Sequence, residues 1–117
     1  METQAMIDAV TFQGLRELMG ADFMVELIDA YCQDTEEGIE HLRQALAAGD
    51  AVSFGRLAHS IKSSSASLGA LTFSQQAREL EMMGKASDLT QAGPRLERLA
   101  TDFRLVKGCL ETLRDEP

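Results

Sequence analysis

From Leu96 to Leu113 the apolar residues Leu96, Leu99, Phe103, Val106, Leu110 and Leu113 recur at steps of three or four. That is the α-helical period, and it gathers all six on one face of a single helix. Such a stripe has to be covered, because an isolated helix is marginal in water. The rest of the chain supplies covers of the same kind. Met24, Leu27, Tyr31, Gly38, Leu42 and Ala45 share a face between about Asp22 and Ala48, Phe54, Leu57, Ile61 and Leu68 do so further on, and Phe73, Ala77 and Leu80 follow. Pro94 and Pro117 are the only prolines, so long stretches are free to be helical, and alternating Val/Ile/Thr runs are missing.

The stops and caps divide this pattern into elements. A weakly patterned helix over about residues 4–19 ends at Gly20. Asp22 serves as cap or first-turn acid of the long second helix, which Gly49 stops, and Asp50 caps a third helix that ends near Leu68-Gly69. The fourth runs from about Leu71 to Met83 with Gly84 as its stop, and Asp88 caps the fifth, whose first turns either hold Gly93-Pro94 or begin after it. The expected fold is all-α: an antiparallel up-down-up-down four-helix bundle with a short additional N-terminal helix as a lid or side element. Residues 1–117 are expected to form one domain, since no internal repeat, low-complexity segment or long linker divides them. Met24, Met82 and Met83 are read as gap-filling interior residues.

Charge and composition remove several classes of function. A net charge of −8 disfavours a nucleic-acid partner, which selects for Lys/Arg stripes. No run of 18 or more apolar residues suggests a transmembrane helix, and Met-Glu-Thr-Gln-Ala lacks the basic start and apolar core of a signal peptide, so a cytoplasmic protein is expected. Cys32 and Cys109 have no metal-type spacing and read as small apolar residues in a reducing compartment. Met1, the lack of a linker and the tail Arg-Asp-Glu-Pro117 favour a free-standing protein over a piece of a larger kinase.

One residue does not fit a purely structural bundle. With Phe54 at zero and about 100° per residue, His59 falls near 140°, away from Leu57, Ile61 and Leu68. It therefore points outward, with Gly55, Lys62, Ser63 and Ala66 as helical neighbours. Gly55 alone should cost about 1 kcal/mol relative to alanine at an exposed helical site, and Ser63-Ser64-Ser65 is a mediocre helix former. A bare face of this kind lets another backbone approach the imidazole. His41, one turn after Glu37, is read as an ordinary surface residue.

A neutral imidazole is a good nucleophile near pH 7 and can carry a phosphoryl group as phosphohistidine. Lys62 would supply a point charge to the phosphoryl oxygens. No Gly-rich phosphate loop, basic cluster or recognisable magnesium-binding carboxylate set accompanies them, so the phosphoryl group must come from, and go to, other proteins.

Ala58-His59-Ser60-Ile61-Lys62-Ser63-Ser64-Ser65-Ala66-Ser67-Leu68-Gly69-Ala70 resembles the signature of histidine-containing phosphotransfer (HPt) domains, roughly A-H-x-[LI]-K-[GS]-[SA]-[SA]-x-x-[LFI]-G-A. Ala48-Gly49-Asp50 is similar to the family's common turn, and Leu80-Glu81 falls where a Leu-Glu or Leu-Gln pair often follows. The chain departs at Ser63, where many members carry glycine. The resemblance implies a small bacterial phosphorelay protein in which His59 is the phosphoacceptor and Lys62 stabilises the phosphoryl group. Glu81 then stands where some members place a glutamine that hydrogen-bonds the histidine; a carboxylate there would orient the imidazole but repel a phosphoryl dianion, which Lys85 would offset.

The implied mechanism is a relay. A receiver domain of a sensor or hybrid kinase presents an aspartyl phosphate with its own Mg²⁺, His59 attacks in line, and the phosphoryl group passes on to a response-regulator aspartate. Gly55, Arg56, Ser63, Ala66, Glu81 and Lys85 are the residues expected to meet these partners, around an apolar docking core with Arg56 and Lys62 at its rim. The interface should be small and transient and the chain a monomer without cofactor or metal of its own. A non-catalytic helical adaptor that binds receivers without transfer is the alternative, and the presence of both His59 and Lys62 argues against it. An in-bundle metal enzyme would need several inward Glu and His residues, whereas the inner faces here are apolar and His41 and His59 are the only histidines.

Overall fold

The computed structural model describes residues 6–116 and contains, among them, five helices and no strand: α1 (Ala9–Met19), α2 (Ala21–Ala48), α3 (Ala51–Ser67), α4 (Leu71–Lys85) and α5 (Ala92–Asp115). The last four form the expected antiparallel bundle, α2 packing on α3, α3 on α4, α4 on α5 and α5 back on α2. At 1.5 Å per residue α2 spans about 42 Å, close to the 45 Å long axis of the molecule. Among the described residues no helix is long and apolar enough to cross a membrane.

The boundaries follow from local chemistry. The Asp8 carboxylate accepts the Thr11 N–H at 3.0 Å and starts α1, while the Asp8 N–H donates to the Gly69 carbonyl at 2.7 Å and ties this helix across the α3–α4 turn. Residues 4 and 5 of the expected first helix lie outside the described residues. Gly49 ends α2 in the left-handed region (φ 68°), and the Asp50 N–H reaches back to the Ala45 carbonyl at 2.9 Å. The Asp50 carboxylate then accepts the Ser53 N–H at 3.1 Å to start α3. Three expected boundaries shift. Ile7 and Asp8 are not helical, so the first helix begins at Ala9 rather than near residue 4. Gly84 does not stop α4, which continues to Lys85. Asp88 caps a turn on Thr90 rather than a helix, and α5 begins at Ala92 with Pro94 in its first turn, where a missing N–H breaks no helical hydrogen bond.

Phe12, Phe54, Phe73, Leu42, Leu80 and Leu110 are among the fully buried side chains. Phe103 packs edge-on against Tyr31 with ring centroids 6.1 Å apart and against Phe73 at 5.7 Å, joining α2, α5 and α4. Met24 is interior, but Met82 is 55% exposed and is not a core residue, because it follows Glu81 round to the outer side of α4. Cys32 and Cys109 are free and buried. Acids of α2 pair across the surface with α5: Glu36 with Lys107 at 2.6 Å, Asp29 with Arg114 at 2.6 Å, and in the reverse sense Arg43 with Glu97 at 2.9 Å. Such exposed pairs contribute little each and chiefly mark the antiparallel register.

One polar contact crosses the core between α2 and α3. Tyr31 Oη and Ser65 Oγ lie 2.6 Å apart, both buried, and burial pushes the tyrosine hydroxyl up to about 12. Tyr31→Phe is expected to destabilise the fold by about 1–2 kcal/mol in urea denaturation, because it leaves the Ser65 hydroxyl without its partner.

Candidate functional site

The α3–α4 pair is the most closely packed in the bundle, and glycine sets its spacing. Gly55 and Gly84 face each other with no side chain between them. A Cβ built on Gly84 would stand 2.6 Å from the Gly55 Cα, 2.7 Å from its nitrogen and 2.8 Å from the Ala51 carbonyl oxygen. Real Cβ atoms do not approach backbone so closely, so only glycine fits at position 84. The converse is not true: a Cβ on Gly55 would meet nothing nearer than the Gly84 Cα at 3.6 Å. This corrects the expectation that Gly55 clears a floor for a partner. Gly55 is buried, and the backbone it admits is that of α4.

One helical turn beyond this crossing, on the adjoining faces, stand His59 of α3 and Glu81 of α4. Glu81 is only 3% exposed, so it lies beneath the surface rather than on it, contrary to the expectation that it meets a partner. Its Oε2 is 2.7 Å from His59 Nδ1, its Oε1 accepts from Lys62 Nζ at 2.7 Å, and Lys85 Nζ stands 3.4 Å from Oε2. Hydrogen bonding from Lys62, against the opposing effect of burial and reinforced by His59 and Lys85, lowers the Glu81 carboxyl from 4.5 to about 2. It is therefore ionised at neutral pH. An ionised carboxylate can only accept, so His59 Nδ1 carries the hydrogen, and in the neutral ring the lone pair is then on Nε2. The imidazole is 57% exposed.

Two hollows lie along the α3–α4 groove, the first against the His59 ring. One, of about 660 Å³, is lined by Val52, Gly55, Arg56, His59, Lys85 and others. The next, of about 430 Å³, is lined by Lys62, Ser63, Ala66, Ser74, Arg78 and Met82 among others. Arg56, Ser63 and Lys85 are exposed and Ala66 half-buried, so these four expected contact residues are accessible. On the other flank, between α2 and α3, an apolar groove of about 580 Å³ is formed largely by Leu27, Tyr31, Leu57, Ile61 and Leu68, with Asp34 and Glu37 at its edge.

Sequence reasoning missed three parts of this site. Gly84 was read as a helix stop, although its spacing from Glu81, three residues, matches a position on the same face. Arg78 drew no attention, although it precedes Glu81 by three residues and Lys85 by seven on one helix face. Ser74 also contributes, donating from Oγ to the Lys62 carbonyl at 2.8 Å and fixing α4 to the turn of α3 that carries the lysine.

The family model described as the Hpt domain matches residues 26–116. No curated protein matches the chain. Among solved structures, the crystal structure of histidine-containing phosphotransfer protein B (HptB) from Pseudomonas aeruginosa PAO1 is similar, with 30% sequence identity, a TM-score of 0.88, and 93% of this chain and 94% of that one covered.

Two outcomes follow from the geometry. Gly84→Ala is expected to destabilise the fold by about 1–3 kcal/mol through overpacking, whereas Gly55→Ala should be neutral or stabilising by up to about 1 kcal/mol, since alanine is the better helix former; urea denaturation compares them. The depressed Glu81 carboxyl gives the second. A group whose folded value lies below its unfolded one stabilises the fold above the unfolded value and loses that contribution as pH falls through the folded value. The stability advantage of wild type over Glu81→Gln should therefore be full above pH 4.5 and vanish as the pH approaches 2, as read by thermal unfolding across that range.

Proposed function

The chain belongs to the Hpt domain family of histidine phosphotransfer intermediates, and from that premise we propose that His59 Nε2 is its phosphoacceptor atom. The observation that carries this reading is the pairing of His59 Nδ1 with the buried Glu81 at 2.7 Å while the ring stays 57% exposed. A fixed hydrogen on Nδ1 leaves Nε2 of the exposed neutral ring as the nucleophile.

The donor is the receiver domain of a sensor or hybrid kinase, carrying an aspartyl phosphate. The Nε2 lone pair attacks phosphorus in line, the Nε2–P bond forms, and the P–O bond to the aspartate breaks with its electron pair, so a free carboxylate leaves. No proton has to move. The Nδ1 hydrogen stays in place, and the ring takes up a positive charge that the Glu81 carboxylate offsets. Lys62 Nζ, whose remaining donors are not used by Glu81, faces the phosphoryl oxygens with a compact charge, and Lys85 adds a second. The reverse steps pass the group to a response-regulator aspartate. The Mg²⁺ that neutralises the aspartyl phosphate is held by the partner, and this chain contributes a nucleophile, a hydrogen-bond acceptor and two cations.

Docking supplies the near-attack geometry. The apolar groove of Leu27, Leu57 and Ile61 forms its core, and Arg56, Lys62, Ser63, Ala66 and Lys85 form its margin. The chain acts as a monomer in the cytoplasm.

Incubation with radiolabelled phospho-receivers from the source organism is expected to label the chain, with a label that is acid-labile and alkali-stable. His59→Gln should abolish it. Label retained on that variant would assign the phosphoryl group to another residue and end the reading.

A further inference from the structure

The cations of this chain are distributed unevenly in how they are neutralised. Arg43, Arg95, Arg98, Lys107 and Arg114 each pair with surface carboxylates. Among the described residues Arg16, Arg56, Arg78 and Arg104 form no side-chain ion pair, Arg16 donating instead to the Glu116 backbone carbonyl. Two of those four line the hollows of the α3–α4 groove. The charged residues lining the two hollows are Arg56, Lys62, Arg78 and Lys85 against the single carboxylate of Glu81, which is buried and shared by both lysines. A chain of net charge −8 thus carries a positive island on one flank of its reactive histidine. The opposite flank is an apolar groove edged by Asp34 and Glu37 with no Lys or Arg in its lining.

Resting on the phosphotransfer reading above, we infer that the α4 flank, where Arg78 lines one hollow with Lys62 and Lys85, is the docking site for the carboxylate cluster of the partner receiver. The partner is identified by its chemistry. A site that holds Mg²⁺ beside an aspartyl phosphate must be built from hard oxygen ligands, and carboxylates are the protein's usual supply of these. When phosphorus reaches His59, those carboxylates must lie within a few ångströms of the ring. The α2 flank would repel them, whereas the α4 flank offers four cations and, in Arg78, one that no internal carboxylate competes for. The charge asymmetry therefore fixes how the partner is turned about the Nε2–P axis as well as where it lands. Rim charges of this kind act mainly on the rate of encounter, and their effect is screened by salt.

The test uses the receiver that labels the wild-type chain fastest. Phosphoramidate, a small donor that needs no docking, labels each variant in parallel, and the receiver-driven rate is divided by the phosphoramidate-driven one. Arg78→Glu should lower this ratio by about tenfold at low salt, and the gap from wild type should close as sodium chloride is raised. Arg78→Lys should keep most of the ratio. Arg104→Glu, an equal change of net charge on α5 diagonally across the bundle, should leave it unaltered. A ratio unchanged in Arg78→Glu, or reduced equally in Arg104→Glu, overturns the inference. Label that depends on His59 but not on Arg78 overturns this inference alone; a wild-type chain that no receiver labels removes the phosphotransfer reading and this inference together.

Discussion

Where Gly84 of α4 meets Gly55 of α3, a single added Cβ would fall 2.6 Å from backbone, so the two helices approach without any side chain between them. Ordinary helix pairs stand 8–10 Å apart at a distance set by the side chains at the contact. Removing those side chains draws α4 in, and a glutamate one turn away then reaches the imidazole directly. At a wider separation the same carboxylate would meet the ring through water and would no longer select which nitrogen holds the hydrogen. The cost is a glycine in the interior of α3, Gly55, about 1 kcal/mol less favourable than alanine, and a second, Gly84, in the last turn of α4. The close packing of α3 on α4 offsets it, and the fit is asymmetric: position 84 tolerates no side chain, while position 55 has room for a methyl group.

The buried carboxylate at first looks misplaced beneath a site meant for an anion. Its surroundings resolve this. Two ammonium groups and an imidazole N–H converge on Glu81, and they hold it ionised with its carboxyl near 2 although it is 3% exposed. In the proposed reaction the imidazole itself becomes cationic when phosphorus bonds to Nε2. A carboxylate on the far nitrogen stabilises that charge from the side away from the phosphoryl oxygens, and the lysines screen the oxygens from it. Glu81 is thus better placed for a phosphorylated ring than its sign alone suggests.

Much of this was legible in the sequence. Six apolar residues at helical spacing from Leu96 to Leu113 had to form a buried stripe, and Gly49-Asp50 is a helix stop followed by a cap in any context. The outward direction of His59 followed from the phase of Phe54, Leu57 and Ile61, because phase within one helix is a local property. What involved two helices was not legible in the same way. Gly84 carries the same letter whether it ends a helix or lets a neighbour in, and only the packing of α3 on α4 separates the two. Gly55 was misassigned for the same reason: a gap in one helix face does not say whether it admits a partner or an internal neighbour. Asp88 failed through competition, since Thr90 offered its N–H and hydroxyl before the helix began.

A carrier that both accepts and releases a phosphoryl group is poorly served by a site that binds the group tightly. Stabilising the carried state alone would deepen a well from which the next transfer must climb. Two unpaired lysines beside His59 would have that effect. Here both are already bonded to Glu81, so any contact with the phosphoryl oxygens comes at the expense of, or in addition to, an existing ion pair. The attraction is therefore attenuated without being removed. The same carboxylate keeps the hydrogen on Nδ1, and a phosphorylated ring that retains this hydrogen is cationic and departs more readily than a neutral one. In the proposed relay acceptance and release are thus balanced by one buried residue, Glu81, and its position depends on the absence of a side chain at Gly84.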